Sequence, residues 1–144
     1  MKAKDYLQQV SKIDKIIKNK LIEKEQWMAI ATSTSTNPSD GDRVQSSGSQ
    51  QKMADAVIRI VEMENEIDRY IDMLVDTKKD VIRTIEKLPT IEYDILHKAY
   101  IQYKELYSVA SEYKKTYSWV TTVHGRALKH VQDILDDKKN RLLK

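Results

Sequence analysis

Residues 117–135, YSWVTTVHGRALKHVQDIL, hold the side chains best suited to a chemical task. At a helical period Val120, Val123, Ala127, Val131 and Ile134 fall on one stripe. The outward positions near the start are then Ser118, Trp119, Thr121, Thr122, Gly125 and Arg126, with Lys129 one turn later. Ser and Thr can bond phosphates or base edges, and Arg and Lys can reach phosphates or guanine. The polar break Lys114-Lys115-Thr116 lies just before this segment. Between 98 and 130 six basic residues (Lys98, Lys104, Lys114, Lys115, Arg126, Lys129) stand against only Glu105 and Glu112. Such a local excess of cations suits duplex DNA, and equally a solvated helical surface.

Other chemistries find less support. With no Cys there is no thiolate metal site, iron–sulfur cluster, disulfide or Cys nucleophile. His130 and Asp133 are one turn apart, with His97 and His124 elsewhere, but no HExxH-like spacing accompanies them. No phosphate-cradling Gly loop follows a strand, and no Ser/His/acid set has positional support. No enzyme, cofactor or metal is therefore expected. Six of the eight Tyr (93, 100, 103, 107, 113, 117) cluster between 93 and 117. Interleaved with lysines they could stack on bases. In a chain without Phe the stronger expectation is core packing, with Trp119 either at the edge of that core or an exposed contact.

These residues must be positioned by helices. The chain has three Gly, two Pro, 40% apolar and 33% charged residues over 144 positions, which excludes a turn-rich sandwich or barrel. Residues 3–31 read as an amphipathic helix with Tyr6, Val10, Ile13, Ile17, Leu21 and Met28 on one face and lysines opposite. Residues 32–50 read as a polar Ser/Thr-rich loop, in which Asp42 or Ser46 could cap the next helix. Over 51–88 a second helix follows strict 4-3 steps at 53, 57, 60, 64, 67, 71, 74, 78, 81, 85 and 88, nine of them apolar. This is coiled-coil periodicity over roughly 55 Å, satisfied either by an intrachain hairpin or by a homodimer seam. Pro89 marks a boundary. Beyond it come a helix at 89–102 burying Ile91, Ile95, Leu96 and Ala99, a short one at 105–113 with Val109 and Ala110 inward, and a last one at 117–135.

The expected fold is thus all-α: a long, coiled-coil-like N-terminal helical hairpin over 1–88, then a three-helix helix-turn-helix unit over 89–144. The longest apolar run, Trp27 to Ala31, is too short to span a membrane, and Met-Lys-Ala-Lys-Asp lacks the apolar stretch of a signal peptide. A cytoplasmic location is expected.

The strings DGDRVQSSGSQQKMADAV (40–57), ILHKAYI (95–101) and WVTTVHGRALKHV (119–131) resemble one family over nearly the whole chain. It comprises small regulators encoded by phages and mobile elements of Gram-positive bacteria, with a sigma-70 region-4-like C-terminus, grouped with ArpU- and RinA-type late transcription regulators. The resemblance implies transcriptional regulation through double-stranded DNA in a bacterial host, with RNA polymerase or another regulator as a further partner. It puts His124 and Arg126 near the DNA backbone and Ser118, Thr121 and Thr122 near the bases. Two departures stand out. Relatives have Gly at the turn where this chain has Lys114, and basic or bulky polar residues where it has Ser118, Thr121 and Thr122. Fewer cations imply weaker and less salt-sensitive binding. The alternative is a helical protein-interaction module with little DNA affinity.

Overall fold

A computed structural model describes residues 1–35 and 47–143, which form helices and short connections with no strand among them. The helices are α1 (Ala3–Ser35), α2 (Ser47–Ile85), α3 (Thr90–Leu96), α4 (Leu106–Tyr113) and α5 (Tyr117–Leu143). A π-helical turn, His97–Ile101, continues directly from α3. The expected loop over 32–50 is helical at both described ends. Its central string and the Asp42 or Ser46 cap lie outside the described residues. None of these helices is long and apolar enough to cross a membrane.

Two compact units emerge, and they cut across the expected boundary at Leu88. One joins Met1–Ile13 to the chain from Leu74 onward, and the other is Asp14–Met73. Both long helices therefore contribute to both units.

In the first unit, Leu7 and Val10 of α1, Val81 and Ile85 of α2, Leu96 of α3 and Ala127 and Val131 of α5 share one core. Each wholly buried Leu, Val or Ile there contributes about 1.5–3 kcal/mol. The Tyr6 hydroxyl donates to Asp80 Oδ2 at 2.5 Å and lies 2.9 Å from Thr84 Oγ1, satisfying two hydroxyls that are both almost fully buried. Burial, then the Asp80 carboxylate, pushes the Tyr6 hydroxyl well above its usual pKa. A second cluster, Ile95, Val109, Ala110, Val120 and Val123, joins α3, α4 and α5. The inward stripe expected for the last helix is as read, with Ile134 only half-buried.

In the second unit α1 and α2 run antiparallel, since Lys20 pairs with Glu66 at 2.8 Å and Lys24 with Glu64 at 3.1 Å. Here the expected faces need correction. Lys20 and Lys24 reach across between the helices, whereas Leu21 and Met28, read as inward, are 43% and 49% exposed. On α2 the inward residues are Ala56, Met63 and Ile67, and the expected seam residues Val57 and Ile71 are outside. Two 4-3 series overlap along α2 and share 60, 67, 74 and 81. Within this unit the chain uses the one running through 56 and 63, which places Glu64 in water rather than in a seam, whereas beyond it Ile85 and Leu88 of the expected series are buried.

Candidate nucleic-acid interface

The connection between α4 and α5 is built by three residues. Lys114 adopts left-handed geometry (φ 54°, ψ 41°). The Lys115 N–H bonds the Ala110 carbonyl at 3.0 Å and the Lys114 N–H bonds that of Ser111 at 3.1 Å, the paired closure of a Schellman motif. Lys114 thus occupies the position at which glycine is ordinarily favoured, at a cost of about 1 kcal/mol. Thr116 then opens α5, its Oγ1 accepting the Trp119 N–H at 3.1 Å, as an N-cap does. Turn and helix start are both fixed by hydrogen bonds, so the first two turns of α5 have a defined direction relative to α4.

On α5 the buried residues Val120, Val123, Ala127 and Val131 face the core, and Ser118, Thr122, Gly125, Arg126 and Lys129 are exposed. A Cβ added at Gly125 would meet no atom within 4 Å. Nothing in the chain's own packing requires glycine there, although glycine costs about 1 kcal/mol inside a helix. Thr121 is half-buried, and the hydroxyls of Thr121 and Thr122 both donate to the Ser118 carbonyl at 2.9 Å. Their acceptor lone pairs stay available, while their protons are committed to the helix.

Several expected contacts are occupied elsewhere. Trp119 packs at the edge of the α3–α4–α5 cluster, 5.7 Å from the Tyr113 ring, with Lys115 Nζ 5.6 Å above its own. Tyr113 in turn donates to Asp94, and burial together with that carboxylate raises its pKa. His124 is half-buried and stacks on Tyr100, with Nε2 2.9 Å from the Tyr100 hydroxyl. Burial, reinforced by the charge of Lys4, pushes His124 below its usual pKa, and burial pushes Tyr100 up. A neutral, stacked His124 makes a poor phosphate ligand. Arg126 donates from Nε to Glu92 Oε2 at 3.0 Å, and His130 Nδ1 lies 2.5 Å from the other oxygen. Glu92 is 2% exposed, so two side chains one turn apart on α5 satisfy a buried carboxylate of α3. Half of the Arg126 side chain still faces water.

The basic window thins accordingly. Lys98 pairs with Asp94 and Lys104 with Glu112, which lowers the Glu112 pKa through that hydrogen bond. Lys114, Lys115 and Lys129 form no ion pair among the described residues, and all three are exposed. The Tyr cluster also divides. Tyr93, Tyr100 and Tyr113 pack against the cores, whereas Tyr103, Tyr107 and Tyr117 are exposed. The Tyr107 and Tyr117 rings lie 6.5 Å apart beside the start of α5, an exposed aromatic pair that periodicity alone did not single out. The inward Glu92 was missed by the sequence reading, although its helical spacing with Ile95, Leu96 and Ala99 is a signal that could have found it. The three histidines bond separately, His97 to Gln102, His124 to Tyr100 and His130 to Glu92. Comparison with known proteins adds no assignment: no family model matches the chain, and neither does any curated protein or solved structure.

Proposed function

We propose that the chain is a duplex-DNA-binding transcription regulator of a phage or integrated mobile element, with α4, the Lys114 turn and α5 acting as a helix-turn-helix. The carrying observation is the exposed stripe Ser118, Thr122, Gly125 and Lys129, which lies opposite the buried face of α5 and directly follows a hydrogen-bonded left-handed turn. A recognition helix needs one face braced by its neighbour and the other free to enter the major groove. The phage setting rests on the string resemblance alone.

In this reading Ser118 and Thr122 approach base edges through their oxygens, and the open Gly125 lets the helix come close to the DNA. Lys114, Lys115 and Lys129 neutralise phosphates. Arg126 holds Glu92 and offers its outer guanidinium edge. Few cations imply modest salt dependence, on the order of 0.9 in log–log slope for each phosphate neutralised.

The test is selection of duplexes from sheared element and host DNA at about 150 mM salt and at a third of that, where phosphate contacts strengthen. Lys114→Ala with Lys129→Ala is run in parallel, because neither side chain holds the fold. Wild type should enrich one short site, and the double variant should bind it more weakly with a salt slope reduced by about 2. No enrichment at either salt would overturn the proposal.

A further inference from the structure

Arg126 engages its buried acid with one corner of the guanidinium only. An arginine that neutralises a carboxylate commonly closes its fork on both oxygens through two parallel N–H bonds. Here Glu92 of α3, 2% exposed, accepts the Arg126 Nε–H on Oε2 at 3.0 Å, while His130 Nδ1 occupies Oε1 at 2.5 Å. The second oxygen is thereby taken, and neither Nη group of Arg126 bonds any described residue. Four of the five guanidinium N–H donors are thus unused. The side chain is 52% exposed against 3% for that of Glu92. Arg126 follows Thr122 by four residues and precedes Lys129 by three, so it borders the exposed stripe of α5. The guanidinium is anchored at Nε on the α3 side, and its remaining donors keep the fixed directions of one rigid plane.

We infer that Arg126 reads a guanine of the bound duplex through its two Nη groups, with Glu92 as the residue that positions it. This deepens the DNA reading and rests on it. Two features favour a base over a phosphate. Arg126 and Glu92 together carry no net charge, so the pair adds little to an attraction for phosphate that scales with the charge neutralised. Pairing at Nε leaves the Nη donors their directions, and two parallel donors match O6 and N7 of guanine in the major groove. Anchoring also removes in advance part of the rotamer freedom that an unheld arginine loses on binding. Lys114, Lys115 and Lys129 have the opposite character, an unpaired charge on a side chain without fixed direction.

Selection from a library of randomised duplexes tests it on the full chain, with salt slopes measured on the selected site and helicity followed by circular dichroism. At one position wild type should prefer guanine at least about tenfold over other bases, as one bidentate pair provides. Arg126→Lys keeps the cation without the fork, and should lose that preference while keeping those at other positions. Glu92→Ala removes the anchor and uncovers one positive charge, so the guanine preference should fall while the salt slope steepens by about 0.9. Glu92→Gln, whose carbonyl oxygen can still accept the Nε–H, should restore the preference at the steeper slope. A residue that only held the fold would weaken binding to all sequences alike and would not separate preference from slope. Arg126→Lys decides the matter should Glu92→Ala lose helicity. Guanine preference retained in Arg126→Lys, or lost equally with every other preference, would overturn this inference and leave the DNA reading standing. A wild type that selects no duplex would overturn both.

Discussion

Replacing Gly125 by alanine should move stability and DNA affinity in opposite directions. Gly125 lies in the interior of α5, and a Cβ there meets no atom within 4 Å. The substitution therefore gains helix propensity without a clash, worth about 1 kcal/mol. Unfolding entropy scales with chain length, so for 144 residues the melting temperature should rise by about 3 °C. The same methyl group projects into the gap through which α5 is proposed to approach DNA. By analogy with overpacked interiors it should cost about 1–3 kcal/mol of binding, at least about fivefold in affinity. Thermal melting by circular dichroism and duplex titration by fluorescence anisotropy give the two readouts on one protein sample. A lower melting temperature would refute the open-space geometry. A stabilised variant with unchanged duplex affinity would refute close approach at this face.

Three further outcomes follow from the same region. Arg126→Ala leaves the buried Glu92 carboxylate with His130 alone and should cost about 2–3 kcal/mol in urea denaturation, against at most about 0.5 for Lys129→Ala; equal costs would refute the role of Arg126 in holding Glu92. Lys114→Gly relieves a left-handed cost of about 1 kcal/mol and should raise the melting temperature while weakening duplex binding through the lost cation; destabilisation would mean that the turn is not left-handed in solution. The folded pKa of His124 lies below its usual 6.5, so below that pH the unfolded chain takes up the proton first. This contribution to stability is complete above about pH 6.5 and is lost as the pH falls through the folded value. His124→Gln should flatten that part of the stability profile between about pH 7 and 5, and an unchanged slope would refute the assignment.

The helices were legible because their apolar residues recur at helical spacing and few Gly or Pro interrupt them. The inward stripe of α5 needed nothing more. The inner face of α2 up to Met73 was not legible, because two 4-3 series overlap there, whereas Val81, Ile85 and Leu88 are buried as read. Counting apolar residues favours Val57 and Ile71, yet the partner helix selects Ala56 and Met63. That choice depends on Lys20 and Lys24 finding Glu66 and Glu64 forty or more positions away, which no local window contains. The outward residues of α5 were found by spacing in the same way. Spacing assigned Arg126, and the resemblance assigned His124, to the DNA side, since Glu92 and Tyr100, which engage them, lie on other segments. The α3 segment was read as one helix through 102; it changes to a π turn at His97, where the Gln102 N–H bonds the His97 carbonyl five residues back. The sequence carries no Pro or Gly there to announce the change.

The division of the chain has a kinetic consequence. The first unit is assembled from two stretches separated by the whole of residues 14–73, whereas the second is continuous. Joining Tyr6 to Thr84 across an unstructured excursion of that length costs about 3–4 kcal/mol of loop-closure entropy before any contact repays it. If α1 and α2 first zip together through Lys24–Glu64 and Lys20–Glu66, most of that excursion is already ordered and the closure cost falls. The continuous unit is then the one that nucleates, and the unit bearing α5 condenses afterwards. Refolding should accordingly slow when Met63 or Ile67 is truncated, whereas truncating Val131 should chiefly speed unfolding.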